Sequence, residues 1–214
     1  GGKGNPHDYV PEGYIVSLAK HFAAYGQTSG GLNGSPADLS LQKLHQLYID
    51  PWKPYLNSGG RGVMVAHNSI NGVPCHSNPM LLKSILRSSL NFTGMTMSDE
   101  GDVPNLQNQH VASSLEDAAV LAIKSGVNID LGGNAFPTLA QAIKEGKLDT
   151  ETLDKAVEYS LTQKFASGVF DNPYADASKL DTLDNTKHRQ LAFEAAIQSL
   201  VLLKNEDTLP LKIS

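Results

Sequence analysis

Short apolar runs alternate along the chain with longer segments in which apolar residues recur every three to four positions. The runs are brief and rich in apolar or β-branched residues, as expected for strands buried in a parallel sheet. Strands that alternate with helices indicate consecutive βαβ units. The predicted strands are residues 14–19, 62–66, 94–97 and 127–131.

The segments between the predicted strands have recognisable helix ends. Ser40 and Ser114 are predicted N-cap residues, because a serine hydroxyl can accept a hydrogen bond from an amide of the first helical turn. Ser77, with Pro79 just inside the helix, predicts a third start. Glycines after three of the helices predict left-handed C-terminal caps. The predicted helices are residues 41–49, 80–90, 115–125, 136–145, 150–167 and 186–199, and the predicted closing glycines are Gly126, Gly146 and Gly168.

The length of the chain limits the possible architecture. A closed (β/α)8 barrel needs about 250 residues and eight strands, whereas this α/β chain has 214 residues and four predicted strands. We therefore expect either a small open sheet or about half of a barrel. Residues 171–184 are polar and turn-rich and predict a linker to a different unit.

Composition excludes several classes of protein. Hydrophobic residues at 40% and charged residues at 18% are typical of a globular protein. The net charge of −5 comes without a basic stripe, so nucleic acid is not an expected partner. No apolar run reaches the length of about 18 residues that a membrane span needs. The single cysteine excludes an intrachain disulfide.

Polar residues follow each predicted strand. Lys20 and His21 come after the first strand, His67 after the second, Asp99 after the third and Asp130 within the last residues of the fourth. Because the C-terminal ends of parallel strands face one rim, we expect these groups to converge on one cleft. Taken singly, each residue has a simpler structural explanation, such as a side-chain hydrogen bond to the backbone near a turn or to an amide of a loop.

The third predicted strand ends in the acidic stretch SDEGD, residues 98–102. On the strand pattern Asp99 shares a face with Met95 and Met97, which points it toward the mouth of the sheet, whereas Glu100 points the other way. Asp102 is predicted to be a solvated turn residue.

Several motifs of other enzyme classes are absent from the sequence. Without HExxH or CxxC spacing, no metal site is expected. Neither GxGxxG after a strand nor GxxxxGK[ST] occurs, so no nucleotide cofactor is expected. The GxSxG motif of many serine hydrolases is also missing. No cofactor of any kind is therefore predicted.

Five segments in order resemble family 3 glycoside hydrolases, most closely the two-domain β-glucosidases. The loop QTSGGLNG stands where the single-domain β-N-acetylglucosaminidases have an Asp-Ser-His sequence. The resemblance covers nearly the whole chain. The five segments are KHFAAYG (20–26), GVMVAHNSINGVP (62–74), LLKSILRSSLNFTGMTMSDEG (81–101), EDAAVLAIKSGVNIDL (116–131) and LVLLKNEDTLPL (200–211).

The resemblance implies a fold and a division into domains. The family has a (β/α)8 barrel followed by an α/β sandwich domain, with the active site between them. Residues 1–170 would then be the second half of the barrel, 171–190 a linker and 191–214 the start of the sandwich domain. The first half of the barrel and the rest of the second domain are the expected partners, and the 214 residues alone are expected to be inactive.

The resemblance also implies an activity, which is retaining hydrolysis of terminal β-D-glucosyl residues. Asp99 takes the place of the nucleophile, and Lys20 and His21 match the residues that bind hydroxyls of the cleaved sugar. His67 and Glu100 are further candidates for substrate binding. They depart from the tyrosine and the aromatic residue that are common at these positions, which leaves the leaving-group preference open. The general acid/base glutamate belongs to the second domain, outside this chain.

Two alternatives to a β-glucosidase stay open from the sequence. One is a β-xylosidase or arabinosidase of the same family, and the other is a non-catalytic sugar-binding barrel. The compartment is not determined by the chain, and the resemblance favours a secreted, periplasmic or lysosomal protein.

Overall fold

The computed structural model describes residues 8–11, 13–182 and 185–211, and the chain divides after Asn172 into two compact units. The strands are Leu18–Phe22 (β1), Gly62–Val65 (β2), Ser69–Ile70 (β3), Val73–Pro74 (β4) and Met95–Met97 (β5). The α-helices are Leu41–Lys43 (α1), Trp52–Asn57 (α2), Asp102–Asn105 (α3), Leu115–Ser125 (α4), Leu139–Lys144 (α5), Thr150–Ala166 (α6) and Thr186–Ser199 (α7). Two π-helical segments are Leu44–Ile49, which continues α1, and Met80–Ser89; 3₁₀ turns span Tyr25–Gln27, Ser29–Gly31, Cys75–Ser77, Phe136–Thr138 and Ala177–Thr182.

The first unit is built on a parallel sheet in the order β1-β2-β5. A single bridge between Met97 and Ile129 adds the next segment of the chain to the edge of β5. Successive βα units therefore lie side by side, which is the strand order of a (β/α)8 barrel rather than of a doubly wound sheet. The antiparallel hairpin β3–β4 lies in the loop that follows β2.

The first strand begins four residues later than the sequence predicts and ends three residues later. The predicted segment 14–19 begins with Tyr14 and Ile15, which are 65% and 89% exposed. The strand that pairs with β2 runs from Leu18 to Phe22. The prediction began too early because the first residues of the apolar run are exposed and pack against little of the protein, whereas Phe22 is fully buried. Lys20 and His21 are consequently part of β1 and do not follow it.

The fourth predicted strand, 127–131, is only a bridge. The backbone N–H of Ile129 donates to the Thr96 carbonyl at 3.1 Å, and the Ser98 N–H donates to the Ile129 carbonyl at 2.9 Å. The chain then turns away, because the Asp130 carboxylate accepts hydrogen bonds from the amides of Ala135 and Phe136 at 3.0 and 3.3 Å.

Most of the predicted helix starts are confirmed. Ser40 and Ser114 accept the N–H groups of Lys43 and Asp117. The start at Ser77 is wrong, because Asn78 Oδ1 accepts the Leu81 N–H at 3.1 Å instead. The three predicted closing glycines all have positive φ: Gly126 at 115°, Gly146 at 71° and Gly168 at 73°.

Two short helices were missed, and two predicted helices are divided, the first being 41–49, which consists of α1 and the π-helical segment Leu44–Ile49. The missed helices are α2, and α3 directly after the acidic stretch. The predicted helix 136–145 consists of a 3₁₀ turn followed by α5. Among the described helices, none combines the length and the apolar character needed to cross a bilayer.

The two faces of β5 differ in their burial. Thr96 is fully buried, and its hydroxyl bonds Asn128 Oδ1 at 2.8 Å, beneath the helical layer. Met95 and Met97 on the other face are partly exposed. Because successive side chains of β5 point to opposite faces, the strand also determines which of the side chains that follow it reach the open face.

The second unit consists of the 3₁₀ turn Ala177–Thr182, helix α7 and an extended segment. No residue of α7 is buried within the described structure. Leu200 and Leu203 of the apolar run are 79% and 92% exposed. The predicted domain limits 1–170, 171–190 and 191–214 stay a prediction.

Candidate active site

Asp99 lies two residues beyond β5 and faces the open side of the sheet. Ser98, on the opposite face, is fully buried, and its hydroxyl accepts the Leu131 N–H at 2.9 Å. This bond anchors the backbone just before Asp99. The Asp99 side chain is 26% exposed, so its carboxylate is reachable from solvent.

Three contacts hold Asp99 in place. Its Oδ2 lies 3.5 Å from His21 Nε2, which reaches across from β1. Its Oδ1 accepts the N–H of Glu100 at 2.9 Å. Its own backbone N–H donates to His76 Nε2 at 3.1 Å. The carboxylate thus keeps free acceptor positions while its backbone is fixed.

His21 is a partly buried imidazole beside the carboxylate. Burial lowers the pKa of His21; the negative charge of Asp99 opposes this effect, and the positive charge of Lys20 reinforces it. The ring stacks on Tyr25 with the centroids 4.3 Å apart. The stacking fixes the plane of the ring, so Nε2 has a defined direction toward the cleft.

Lys20 is exposed and makes no ion pair within the described ranges. It lines a cavity of about 460 Å³ together with His21, Tyr25, Tyr48 and Trp52. Its ammonium group is therefore available to a ligand.

Asp102 corrects the sequence-based expectation most strongly, since it is 2% exposed and not a solvated turn residue. The reason lies in Gly101, whose φ of 71° turns the chain so that Asp102 begins α3 with its side chain inward. There Oδ1 lies 2.5 Å from His67 Nδ1, and Oδ2 lies 3.6 Å from His76 Nδ1. Burial raises the pKa of Asp102, and the hydrogen bond from His67 opposes this effect.

His76 was missed by the sequence analysis. It lies in the 3₁₀ turn after β4, its side chain is 3% exposed, and burial lowers its pKa to about 3. It is therefore neutral near pH 7. His76 does not follow a predicted strand and belongs to no recognised motif. The β3–β4 hairpin is what brings it next to the backbone of Asp99.

His67 follows β2, the strand between β1 and β5, and Glu100 follows Asp99 along the chain. They line a cavity of about 550 Å³ with Asp102, Asn105, Gln107 and Asn108. Pro104 and Gly101 complete this lining. The cavity therefore offers mainly hydrogen-bonding groups. A larger cavity, of about 680 Å³, lies along α6 and contains none of the candidate residues.

His67, Asp99 and Asp102 each offer one possible metal ligand atom within 4.8 Å of the others. His67 Nδ1 already lies 2.5 Å from Asp102 Oδ1, and structural metal sites usually have four protein ligands. We therefore interpret the three residues as a cluster of interacting polar side chains. Asp130, the fourth polar residue expected at the rim, instead binds the loop amides described above.

The profile of the glycosyl hydrolase family 3 N-terminal domain matches residues 8–162. The chain belongs to glycosyl hydrolase family 3. Its α/β architecture is that of the later part of the family's (β/α)8 barrel, in agreement with the prediction from the five sequence segments.

Known relatives within family 3 include β-glucosidases and β-xylosidases. The chain is 39% identical over 208 residues to a periplasmic beta-glucosidase from Salmonella typhimurium, covering 94% of this chain and 27% of the relative. It is 36% identical to a beta-xylosidase from Formosa agariphila, covering 99% of this chain and 31% of the relative. The chain thus spans between a quarter and a third of the length of these family 3 relatives.

Solved structures of family 3 proteins have the same arrangement. A β-glucosidase from Listeria innocua in complex with glucose superposes with a TM-score of 0.81 at 31% identity, over 92% of this chain and 27% of that chain. A β-glucosidase from Erythrobacter marinus gives 0.83 at 35% identity, over 95% and 28%.

Proposed function

We propose that this chain carries the nucleophile side of a retaining β-glucosidase active site, with Asp99 as the nucleophile. The observation that carries the proposal is the partly exposed Asp99 carboxylate, fixed at the end of β5 and 3.5 Å from His21. The glucosidase relatives support it, and membership of the family makes glycoside hydrolysis the natural reaction.

In the first step, an Asp99 oxygen attacks C1 of the sugar as the bond from C1 to the leaving oxygen breaks. A general acid protonates that oxygen, and in retaining enzymes it lies about 5 to 5.5 Å from the nucleophile. We place this acid in the part of the protein outside the present chain. The transition state resembles an oxocarbenium ion, which the ionised carboxylate stabilises before the covalent ester forms.

In the second step, water attacks C1 from the face that the leaving group occupied. The C1–Asp99 bond breaks, and the acid group now acts as the base that takes the proton from water. Two inversions at C1 give net retention of the β configuration. Asp99 is released as a free carboxylate, ready for the next substrate.

Lys20 and His21 are proposed to bind hydroxyls of the sugar whose bond is cut. Lys20 has three donors and is available to a ligand, while the His21 ring is oriented by Tyr25. Such contacts place C1 over the nucleophile, and positioning of this kind contributes strongly to the rate.

His67 and Glu100 are proposed to bind the leaving group. Their cavity is lined by two carboxylates, an imidazole and side-chain amides, which suit a hydroxyl-rich sugar better than a flat apolar group. Neither a lysine nor an arginine lines this cavity among the described residues.

Glu100→Ala is expected to lower kcat/KM for a β-linked glucose disaccharide about tenfold, the loss of one charge-assisted hydrogen bond. Hydrolysis of nitrophenyl β-glucoside should change far less, because its leaving group has no sugar hydroxyls. Steady-state kinetics on the full-length protein measure both, and Glu151→Ala on the outer helix α6 is the matched control. An equal loss on the two substrates would contradict this role.

The identity of the sugar is tested by comparing nitrophenyl β-glucoside with nitrophenyl β-xyloside on the full-length protein. We expect the glucoside to have the higher kcat/KM. A higher value for the xyloside would favour the β-xylosidase alternative, which the Formosa agariphila relative also supports. Binding of glucose with no hydrolysis of either substrate would favour the non-catalytic alternative.

A further inference from the structure

Asp102 is the one carboxylate among the buried polar residues of the described structure. It lies between two imidazoles that come from different parts of the loop after β2. One is His67, directly after the strand, and the other is His76, beyond the hairpin. A buried carboxylate is costly unless polar partners surround it, and the two imidazoles are polar groups that the structure places beside this one.

The protonation of His76 can be worked out from its contacts. The ring is neutral near pH 7, and Nε2 accepts the Asp99 N–H at 3.1 Å. The single ring hydrogen must therefore be on Nδ1, the nitrogen that faces Asp102 Oδ2. A carboxylate at that position favours this tautomer over the other.

The opposite tautomer would disturb the nucleophile directly. It would place an N–H on Nε2 against the N–H of Asp99, so that two donors would meet and the Asp99 amide would lose its acceptor. The amide would then have to move to find another partner, since an unmade buried hydrogen bond is costly. The Asp99 carboxylate would move with it.

We propose that Asp102 is a positioning residue for the reaction: through His76 it fixes the backbone of Asp99, and through His67 it orients an imidazole on the leaving-group side. This inference rests on the proposed function. Asp102 touches neither the sugar nor the reacting atoms in this scheme, and its effect passes through the two histidines.

The size of the effect follows from the demands of attack at C1. A misplacement of about 1 Å can cost a hundredfold in rate. Loss of a group that orients a metal-binding side chain typically costs about 10- to 100-fold in activity, and we expect a similar scale for a group that orients a nucleophile. Affinity for a substrate whose leaving group is not a sugar should change little, because Lys20 and His21 on β1 do not contact Asp102.

The test is Asp102→Asn in the full-length protein, followed with a 2-fluoro β-glucoside that traps the covalent intermediate. The rate of covalent labelling is expected to fall about 10- to 100-fold. For nitrophenyl β-glucoside, kcat should fall by a similar factor, with KM nearly unchanged. Asp117→Asn, at a half-buried carboxylate that starts α4, is the matched control and should label at the wild-type rate. The thermal unfolding midpoint of each variant is measured alongside.

A second pair of variants keeps the test decisive if Asp102→Asn fails to fold. His76→Gln retains an acceptor for the Asp99 N–H and a donor toward Asp102, and it should keep most of the labelling rate. His76→Leu fills similar space without either group and should lose as much as Asp102→Asn. A purely structural role would lower the unfolding midpoint without changing the labelling rate of the folded protein.

The outcomes separate this inference from the proposed function. Wild-type labelling rates in Asp102→Asn, or equal rates in His76→Gln and His76→Leu, would overturn the positioning role. A wild-type protein that neither hydrolyses a β-glucoside nor becomes labelled would instead overturn the proposed function, and the positioning role with it.

Discussion

Asp99→Ala in the full-length protein is expected to lower kcat for nitrophenyl β-glucoside by a factor of about a thousand or more, which corresponds to about 4 kcal/mol of barrier. The variant keeps the proposed sugar-binding groups of β1 but lacks the carboxylate proposed to form the ester. It also loses the negative charge that stabilises the oxocarbenium-like transition state. Steady-state kinetics and the unfolding midpoint are measured together, and Asp50→Ala, at an exposed aspartate, is the control.

Sodium azide distinguishes a lost nucleophile from a disturbed site. In Asp99→Ala, azide can occupy the vacated space and attack C1 as the bond to the leaving oxygen breaks. The product is then α-glucosyl azide, because only one inversion occurs. Full activity of Asp99→Ala, or hydrolysis with a β-glucosyl product and no response to azide, would contradict the role of Asp99.

Arg87→Ala is expected to reduce the free energy of unfolding by about 3 kcal/mol, since buried acceptors are left without donors at about 1–3 kcal/mol each. Arg87 Nη1 donates to the carbonyls of Phe92 and Gly94 at 3.0 and 2.5 Å, and Nη2 donates to Asn128 Oδ1 at 3.0 Å. Its guanidinium also lies 4.0 Å from the ring centroid of Tyr159 on α6. Arg87 therefore joins the start of β5 to the next loop and to the helical layer.

The charge on Arg87 persists in this site. Burial lowers its pKa to about 10, so the group stays protonated at neutral pH. Lys83→Ala, one turn earlier on the same π-helix and exposed, is the matched control and should change stability by only a few tenths of a kcal/mol. Chemical denaturation measures both variants. Similar losses for the two would show that the Arg87 network does not support β5.

The order of strands and helices was predictable because each βα unit contains its own local signals. Ser40, Ser114 and Gly126 cap helices through contacts with residues within four positions, so the sequence alone is sufficient. The face on which Asp99 lies was predictable from local signals too, because side chains alternate between the two faces along the strand and just beyond its end.

The features that sequence reasoning missed depend on contacts between distant residues. Asp102 looks like a turn residue beside Gly101, and its burial depends on His67 and His76, which lie 35 and 26 positions earlier. The limits of β1 depend likewise on its pairing with β2. The strand propensity of the residues near position 14 carries no information about the pairing with β2.

The most direct test of the account is the identity of the residue that forms the covalent intermediate. The full-length protein is incubated with a 2-fluoro β-glucoside, digested and analysed by peptide mass mapping. The account predicts a single fluoroglucosyl adduct on the peptide that contains Asp99, with fragment ions that assign it to this residue. An adduct on Glu100, Asp102 or any residue other than Asp99 would contradict it.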